Sequence, residues 1–304
     1  MVDYKELFNE LKSIGSARVL RNESMSSHTS LRIGGPAKIL IIPKDIEALQ
    51  KAVSITRGTK TYVMGNGSNI LVPDKGLNGV VIKIAGGMNS LESDGRSITV
   101  GGGTLMQPLI RKLAHLGLSG LEFAAGVPAA IGGAVVMNMG AFGQDTGSLV
   151  EQVEIIDRSG KRETLSRGDL EFSYRKSNIR DCVAAFIRMK MSYRQKEWIR
   201  KRIDETLRKR KELQPWAVPS AGSIFKNPKE VPAGKLIDMA GLKGLRIGGA
   251  EISRKHANFI INLGDAKESD VAAIIRKVRR IIKERFKVKL ELELIDSGKL
   301  NMLF

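Results

Sequence analysis

The sequence predicts an α+β protein built in three sections. Three observations point there. Short apolar strands alternate with helices from Lys38 onward. A polar, glycine-rich stretch, GGMNSLESDGRS at 86–97, separates one such group from a second. An amphipathic helix and a strictly alternating segment then close the chain beyond a proline-punctuated region.

Each element follows from its residues. KILIIP (38–43) is a continuous apolar run and predicts a buried strand. Asp45 is a helix N-cap ahead of Ile46, Leu49 and Val53, which recur on one helical face. TYVMG (61–65) and GVVIKI (79–84) are further strands. Past the polar loop, SITVG (97–101) predicts a strand and the glycines at 101–103 a turn into a helix. That helix is capped by Thr104 and carries Pro108 in or near its first turn. QVEIID and RETLS flank a hairpin turn at Ser159-Gly160, and VAAFIRMKMSY (183–193) is another strand. Between Arg188 and Lys211 lie eleven basic and three acidic residues, the pattern of an exposed linking helix. The third section begins near Leu213. Ser269-Asp270 caps a helix whose buried stripe is Val271, Ile274, Ile275, Val278, Ile281 and Ile282. KVKLELELI then reads as a strand with Val288, Leu290, Leu292 and Leu294 on one face and Glu293 on the solvent face.

Composition narrows the function. The chain has 304 residues and a formal charge of +18, from 50 Lys and Arg against 32 Asp and Glu. That excess favours a polyanionic partner: nucleic acid, anionic membrane or phosphate-bearing small molecules. One cysteine excludes an intramolecular disulfide and a cysteine-based zinc site, and three dispersed histidines offer no metal-ligand spacing. A reducing, cytoplasmic compartment is expected. The N-terminal residues lack an apolar run behind a basic start, so no secretory signal is expected. The stretch 123–143 is uncharged for 21 residues, but its five glycines make a tightly packed turn region the better reading than a membrane span.

Five segments carry candidate chemistry. GNGSN (65–69) follows a strand and can turn successive backbone N–H groups toward an anion, although a plain hairpin turn reads equally well. It matches neither the Walker loop nor the dinucleotide fingerprint. AAGVPAAIGGAVVMNMGAFG pairs two glycine clusters with a proline, so that a flat ligand can lie against backbone. The two glycine-rich segments together favour a nucleotide cofactor. Arg175 in FSYRKS can hold a carboxylate bidentately or be a surface arginine. Ser223 in AGSIFKNP is sterically open, with Lys226 and Asn227 close by, and lacks a neighbouring histidine to make it a nucleophile; a proton-donor role is easier. Glu293, on pattern alone, is an exposed strand residue.

HTSLRIGGPAK, GNGSNILVPDKGLNGVVIKI, GVPAAIGGAVVMNMGAFG, FSYRKS, AGSIFKNP, GKLIDMAGLKG, KHANFIIN and LELELI occur in this order along the chain. In that order they resemble the bacterial UDP-N-acetylenolpyruvoylglucosamine reductases, from about Ser24 to Ile295. The length is similar to the short type, which lacks an additional tyrosine-bearing loop. The resemblance implies an FAD-binding fold of the vanillyl-alcohol-oxidase/p-cresol-methylhydroxylase type, made of two α+β subdomains, with a C-terminal α+β substrate-binding domain. It implies subdomain 1 over 1–85 joined by the tail 295–304, subdomain 2 over 86–205, and the substrate domain over 206–294. It implies non-covalent FAD, NADPH as reductant and UDP-N-acetylenolpyruvoylglucosamine as substrate, in a cytoplasmic monomer of peptidoglycan precursor synthesis that binds neither nucleic acid nor membrane.

Residue by residue, the resemblance assigns Gly65, Asn66, Gly67, Ser68 and Asn69 to the FAD diphosphate. It gives Gly126, Val127, Pro128, Ile131, Gly132, Gly133 and Asn138 to a second cofactor segment. Arg175 would polarise the enolpyruvyl carboxylate, Ser223 would donate a proton, and Glu293 would partner the arginine. Tyr174, Lys226, Asn227 and Lys211 would contact substrate. Val127, Ala129, Met139, Phe142 and Leu292 depart from the family pattern, all at supporting positions; Ala129 bears on backbone geometry near the flavin. Two rival readings are another FAD oxidoreductase of the same fold and a basic nucleic-acid-binding protein. The absence of a recognisable histidine attachment motif weighs against the first. Few aromatics and no nucleic-acid-binding signature weigh against the second.

Overall fold

The computed structural model describes residues 2–296. The seven α-helices among them are α1 (Tyr4–Lys12), α2 (Ile46–Ile55), α3 (Met106–Leu116), α4 (Ile131–Val136), α5 (Lys196–Leu213), α6 (Ala233–Met239) and α7 (Glu268–Phe286). Three sheets organise them.

The first sheet comprises Ala17–Ser24 (β1), Pro36–Pro43 (β2), Thr61–Met64 (β3) and Leu77–Lys83, which flanks β2 and β3 in parallel, while β1 lies antiparallel outside β2. One face packs on α1 and α2 through Leu7, Leu11, Ile39, Ile41, Leu49, Val53, Val80 and Ile82. Asp45 caps α2 by accepting from Ala48 N at 2.8 Å. The α1 signal is present in the sequence, although sequence reading passed over it: Tyr4, Leu7, Phe8 and Leu11 recur at helical spacing behind Asp3, whose side chain accepts from Lys5 N and Glu6 N, whereas β1 has no clean alternation. Both are held by their amphipathic contact with this sheet, as marginal short elements usually are.

The second sheet is antiparallel, with Arg162–Ser166, Val150–Ile156, Val183–Lys190, Ser97–Gly101 and Leu91–Asp94 in spatial order. The Ser159-Gly160 turn joins its first hairpin, with Gly160 at φ +85°. This sheet packs α3 and α4 over a core that includes Ile98, Val100, Leu109, Leu113, Ile131, Val135, Val153 and Ile187. Leu105, not Thr104, is the N-cap of α3, and no side chain caps it. The Thr104 hydroxyl instead donates to Ser90 O, while Thr104 O accepts from Ile131 N. The uncharged 123–143 stretch becomes turns around the short helix α4. Among the described residues no helix is long and apolar enough to cross a membrane.

The third sheet runs Ser220–Ser223, Phe259–Asn262, Ala250–Ile252 and Arg246–Ile247, all antiparallel, against α6 and α7. Helix α7 begins one residue before the expected Ser269-Asp270 cap. Asp270 accepts from Lys267 N, and the first free N–H groups are taken by Asp74 of a distant loop (Glu268 N at 2.7 Å, Ser269 N at 3.3 Å).

The KVKLELELI segment departs from its expectation. Residues 287–294 make no strand beyond a single bridge between Phe225 and Leu292. Leu290 and Leu294 are buried in the third core, so the alternation marks anchoring rather than a ladder. The backbone is pinned to 224–226, with Glu293 N and Leu294 N donating to Ile224 O and Lys226 N donating to Glu291 O. A true strand appears only at Ile295–Asp296, paired in parallel with Ile70–Leu71 beside the first sheet. The remainder of the expected 295–304 tail lies outside the described residues.

Candidate functional site

A cavity of about 1090 Å³ lies where the three sections meet. One wall is the turn Gly65–Asn69, at the exit of β3. Among the described residues no protein acceptor takes the N–H groups of Asn66, Gly67, Ser68 or Asn69. Four unspent donors on one turn form a concave anion cradle. Gly67 is held at φ +66°, and a Cβ there would sit 2.1 Å from His28 O, so only glycine fits the turn. The opposite lip is the Gly126–Gly133 stretch. Gly133 faces Gly65: a Cβ on Gly133 would come no nearer than 4.0 Å to any protein atom, that atom being Gly65 Cα. The Asn66 amide reaches across to donate to Pro128 O at 2.7 Å, tying the two glycine-rich segments together. Backbone-lined, narrow and rich in free N–H groups, this part of the cavity fits the diphosphate and flat ring of a dinucleotide.

Arg175 and Glu293 meet on another wall, Nε to Oε1 at 2.6 Å, with both side chains largely buried. The contact is an ion pair whose Nε–H is not aimed along the hydrogen-bond direction. Arg175 sits in the left-handed region at φ +56° and donates from Nη1 to Gly140 O at 2.8 Å, which aims the guanidinium inward. Burial pushes the Glu293 carboxyl above the ordinary glutamate value, against the pull of Arg175. Asn69 donates to Glu293 O at 3.0 Å, so the cofactor-facing turn also holds the glutamate's backbone.

Ser223 ends the first strand of the third sheet, after Gly222 at φ +73° and an irregular register against Phe259–Asn262. Its hydroxyl has no hydrogen-bond partner among the described residues and faces the cavity. The strand beyond it is clamped by Asn258. Its side chain accepts from Phe225 N at 3.0 Å and donates to Phe225 O at 2.8 Å, while its own carbonyl accepts from Ile224 N. Asn227 lines the cavity; its N–H donates to the Tyr174 hydroxyl at 3.2 Å, and its Oδ1 accepts from Ala233 N at the start of α6.

The cavity therefore brings together Gly65, Asn66, Gly67, Ser68, Asn69, Gly126, Val127, Pro128, Gly132, Gly133, Arg175, Ser223, Asn227 and Glu293. Other residues expected at the site are not among those that line the cavity. Ile131 is fully buried in the second core. Asn138 bridges Gly147 N and Ser173 O, fixing the loop that carries Arg175. Tyr174 is exposed beyond its contact with Asn227, Lys226 lies 3.6 Å from Glu291, and Lys211 stacks over Trp216. Sequence reading passed over Asn258, Arg210, Lys235, Lys243, Lys255 and His256, of which all but Arg210 lie in the third section; all line the cavity. Asn258 and His256 sit inside the KHANFIIN motif, which was the available signal. Nothing local singled out Arg210 from its basic helix. Burial holds the His256 ring below its ordinary value.

Comparison with known proteins fits these features. Residues 37–166 match the family described as FAD binding domain, and residues 214–295 match the C-terminal domain of UDP-N-acetylenolpyruvoylglucosamine reductase. The reductase of that name from Halalkalibacterium halodurans is 42% identical over 295 residues, covering 95% of this chain and 97% of that protein. The one from Bacillus subtilis is 40% identical, over 97% of this chain and all of that protein. The chain belongs to the UDP-N-acetylenolpyruvoylglucosamine reductase family. The crystal structure of such a reductase from Thermus caldophilus superposes with a TM-score of 0.81 at 40% identity, over 92% of this chain and 99% of that one. A berberine bridge enzyme variant aligns at a TM-score of 0.50 and 13% identity over 64% of this chain, a likeness of fold alone. The reductase family places the chain among FAD-dependent oxidoreductases with the two-part α+β FAD-binding fold and a C-terminal domain.

Proposed function

We propose that the chain reduces UDP-N-acetylenolpyruvoylglucosamine to UDP-N-acetylmuramate, with NADPH as reductant, in peptidoglycan precursor synthesis. One observation carries this reading: the free N–H cradle of Asn66–Asn69, the Arg175–Glu293 pair and the unpartnered Ser223 hydroxyl open into one cavity. The FAD-binding subdomains are 1–85, joined by the strand at Ile295–Asp296, and 86–205; the substrate domain is 206–294. Because a single chain supplies the whole site, a monomer suffices. The cytoplasm is the compartment that fits a lone buried cysteine and nucleotide substrates.

FAD, when bound, would supply the hydride chemistry that links the nicotinamide to the C3 methylene of the enolpyruvyl group. The 66–69 turn would hold its diphosphate by backbone donors, and Gly132 and Gly133 would let the ring lie against backbone. Arg175 would stabilise the negative charge that spreads into the substrate carboxylate as C2 gains electron density. A fixed guanidinium in a water-poor site needs little reorganisation, and such terms are worth about 3–4 kcal/mol. Glu293 holds that guanidinium in place. Ser223 would then deliver its hydroxyl proton to C2 and recover one from solvent. A serine is a weak acid, so the electron-rich carbon supplies the driving force. Asn227 would orient the sugar nucleotide.

The test is Ser223→Ala, followed by anaerobic stopped-flow. Bleaching of the flavin by NADPH should proceed at the wild-type rate, while reoxidation by the enolpyruvyl nucleotide slows by orders of magnitude. Equal slowing of both half-reactions, with FAD retained, would remove Ser223 from the proton-donor role.

A further inference from the structure

The cavity wall contains a buried cation with no acid beside it. Arg210, in the last turn of α5, is 7% exposed and lines the cavity. Its Nη2 donates to Phe123 O at 3.0 Å and its Nη1 to Gln214 Oε1 at a long 3.4 Å. Its Nε is buried without any hydrogen-bond partner. Among the described residues no carboxylate lies within ion-pair distance, and the charge that bears most on it is the like charge of Arg175. Burial lowers its pKa to about 10.

Such a group is costly to bury in a folded protein, since a buried guanidinium normally faces a carboxylate that offsets its lost hydration. The surroundings hold it in place all the same. The Arg210 stem packs against Gly126, where a Cβ would come within 3.0 Å of Arg210 Cδ, and the guanidinium lies over the Phe142 ring at 5.3 Å. Neither contact neutralises it. The other charges of the cavity leave no counter-ion to spare: Glu293 is taken by Arg175 and Asp238 by Lys243 at 2.7 Å.

We infer that Arg210 is an anion subsite whose missing counter-charge is an oxyanion of a bound nucleotide. This rests on the reading that the cavity takes FAD, NADPH and a UDP-sugar. All three bear phosphate oxygens, and the guanidinium fork suits any of them. Arg210 lies beside the Gly126 segment and electrostatically close to Arg175. Its role differs from that of Arg175, which already has a protein carboxylate.

The experiment compares Arg210→Met and Arg210→Lys with the wild-type holoenzyme. Methionine keeps the stem packing and removes the charge; lysine keeps the charge and loses the fork. Bound FAD per chain is read from the flavin spectrum. In FAD-replete enzyme, dissociation constants for NADP and for UDP-N-acetylmuramate are read from the flavin absorbance change. At least one of the three affinities should fall tenfold or more in Arg210→Met and be partly restored in Arg210→Lys, and the affected ligand names the source of the oxyanion. Where the affinity that falls is for NADP or UDP-N-acetylmuramate, the melting temperature of the holoenzyme without added nucleotide should hold or rise in Arg210→Met, because an uncompensated charge has been removed; where it is for FAD, that temperature should fall. A lowered melting temperature with all three affinities within twofold of wild type would assign Arg210 a structural role and overturn the subsite. Wild-type turnover, measured separately, tests the functional reading itself: an inactive wild type that still loses nucleotide affinity on Arg210→Met refutes that reading and leaves the subsite standing.

Discussion

Asn258→Ala tests how the third section holds Ser223. The Asn258 side chain is 2% exposed and closes a two-point clamp on Phe225, which is itself 2% exposed. Truncation leaves Phe225 N and O without partners in a place water does not reach. Each such orphaned group costs about 1–3 kcal/mol, so the total is roughly 2–6 kcal/mol. For chains of this size class that corresponds to a melting-temperature drop on the order of 10 °C. The bond from Ile224 N to Asn258 O is backbone to backbone and survives. The strand therefore stays attached but gains freedom two residues from the Ser223 hydroxyl. A displacement near 1 Å at a reacting group costs about 100-fold in rate. Reoxidation of the reduced enzyme by the enolpyruvyl nucleotide should slow by about 10–100-fold, while NADPH bleaches the flavin at the wild-type rate. Differential scanning calorimetry and stopped-flow absorbance read the two effects. An unchanged melting temperature with unchanged reoxidation would show that the clamp does not position this strand.

Four further outcomes follow from individual contacts. Glu293→Gln removes a titration: burial raises the folded-state pKa of Glu293, so its proton stabilises the fold below the ordinary glutamate range and that contribution fades as pH rises through the raised value. The wild-type-minus-variant difference in unfolding free energy should fall as pH rises above the ordinary glutamate range; a rising difference would mean that Arg175 outweighs burial. Gly67→Ala places a Cβ 2.1 Å from His28 O at a positive φ, and purified protein should carry much less flavin per chain. Gly133→Ala has room in the protein, so any flavin loss there, at unchanged melting temperature, reports the cofactor's own approach. Asp74→Ala removes the acceptor for Glu268 N and Ser269 N at the start of α7, costing about 0.5–2 kcal/mol with little change in turnover at room temperature.

The legible parts of the fold were those with local causes. KILIIP, TYVMG, GVVIKI, SITVG and VAAFIRMKMSY lie within or over strands because a continuous or alternating apolar run has few other ways to bury itself. Asp45 caps its helix through its own side chain. The errors arose where the partner is distant in sequence. Thr104 gives way to Leu105 at the N-cap of α3, and α7 takes its first acceptor from Asp74, 194 residues earlier. The alternating 288–294 segment obeys its apolar period, yet single hydrogen bonds to 224–226 replace a ladder.

The same division holds for the site. The ordered motifs named the family, and the glycines of 65–69 and 126–133 announced backbone laid open to a ligand, because small residues at turns are chosen by what approaches them. Sequence alone also set the charge of +18, much of which lies on the outward faces of α5 and α7. Tertiary structure decided what those charges face. It turned Glu293 from an expected solvent position into a largely buried partner of Arg175, 118 residues away in the chain. It separated Arg210, buried at the cavity, from the adjacent Lys211 on the surface, although the two read alike in a basic helix. Burial and pairing depend on which distant surfaces a side chain meets, and that is fixed only when the three sections close on one another.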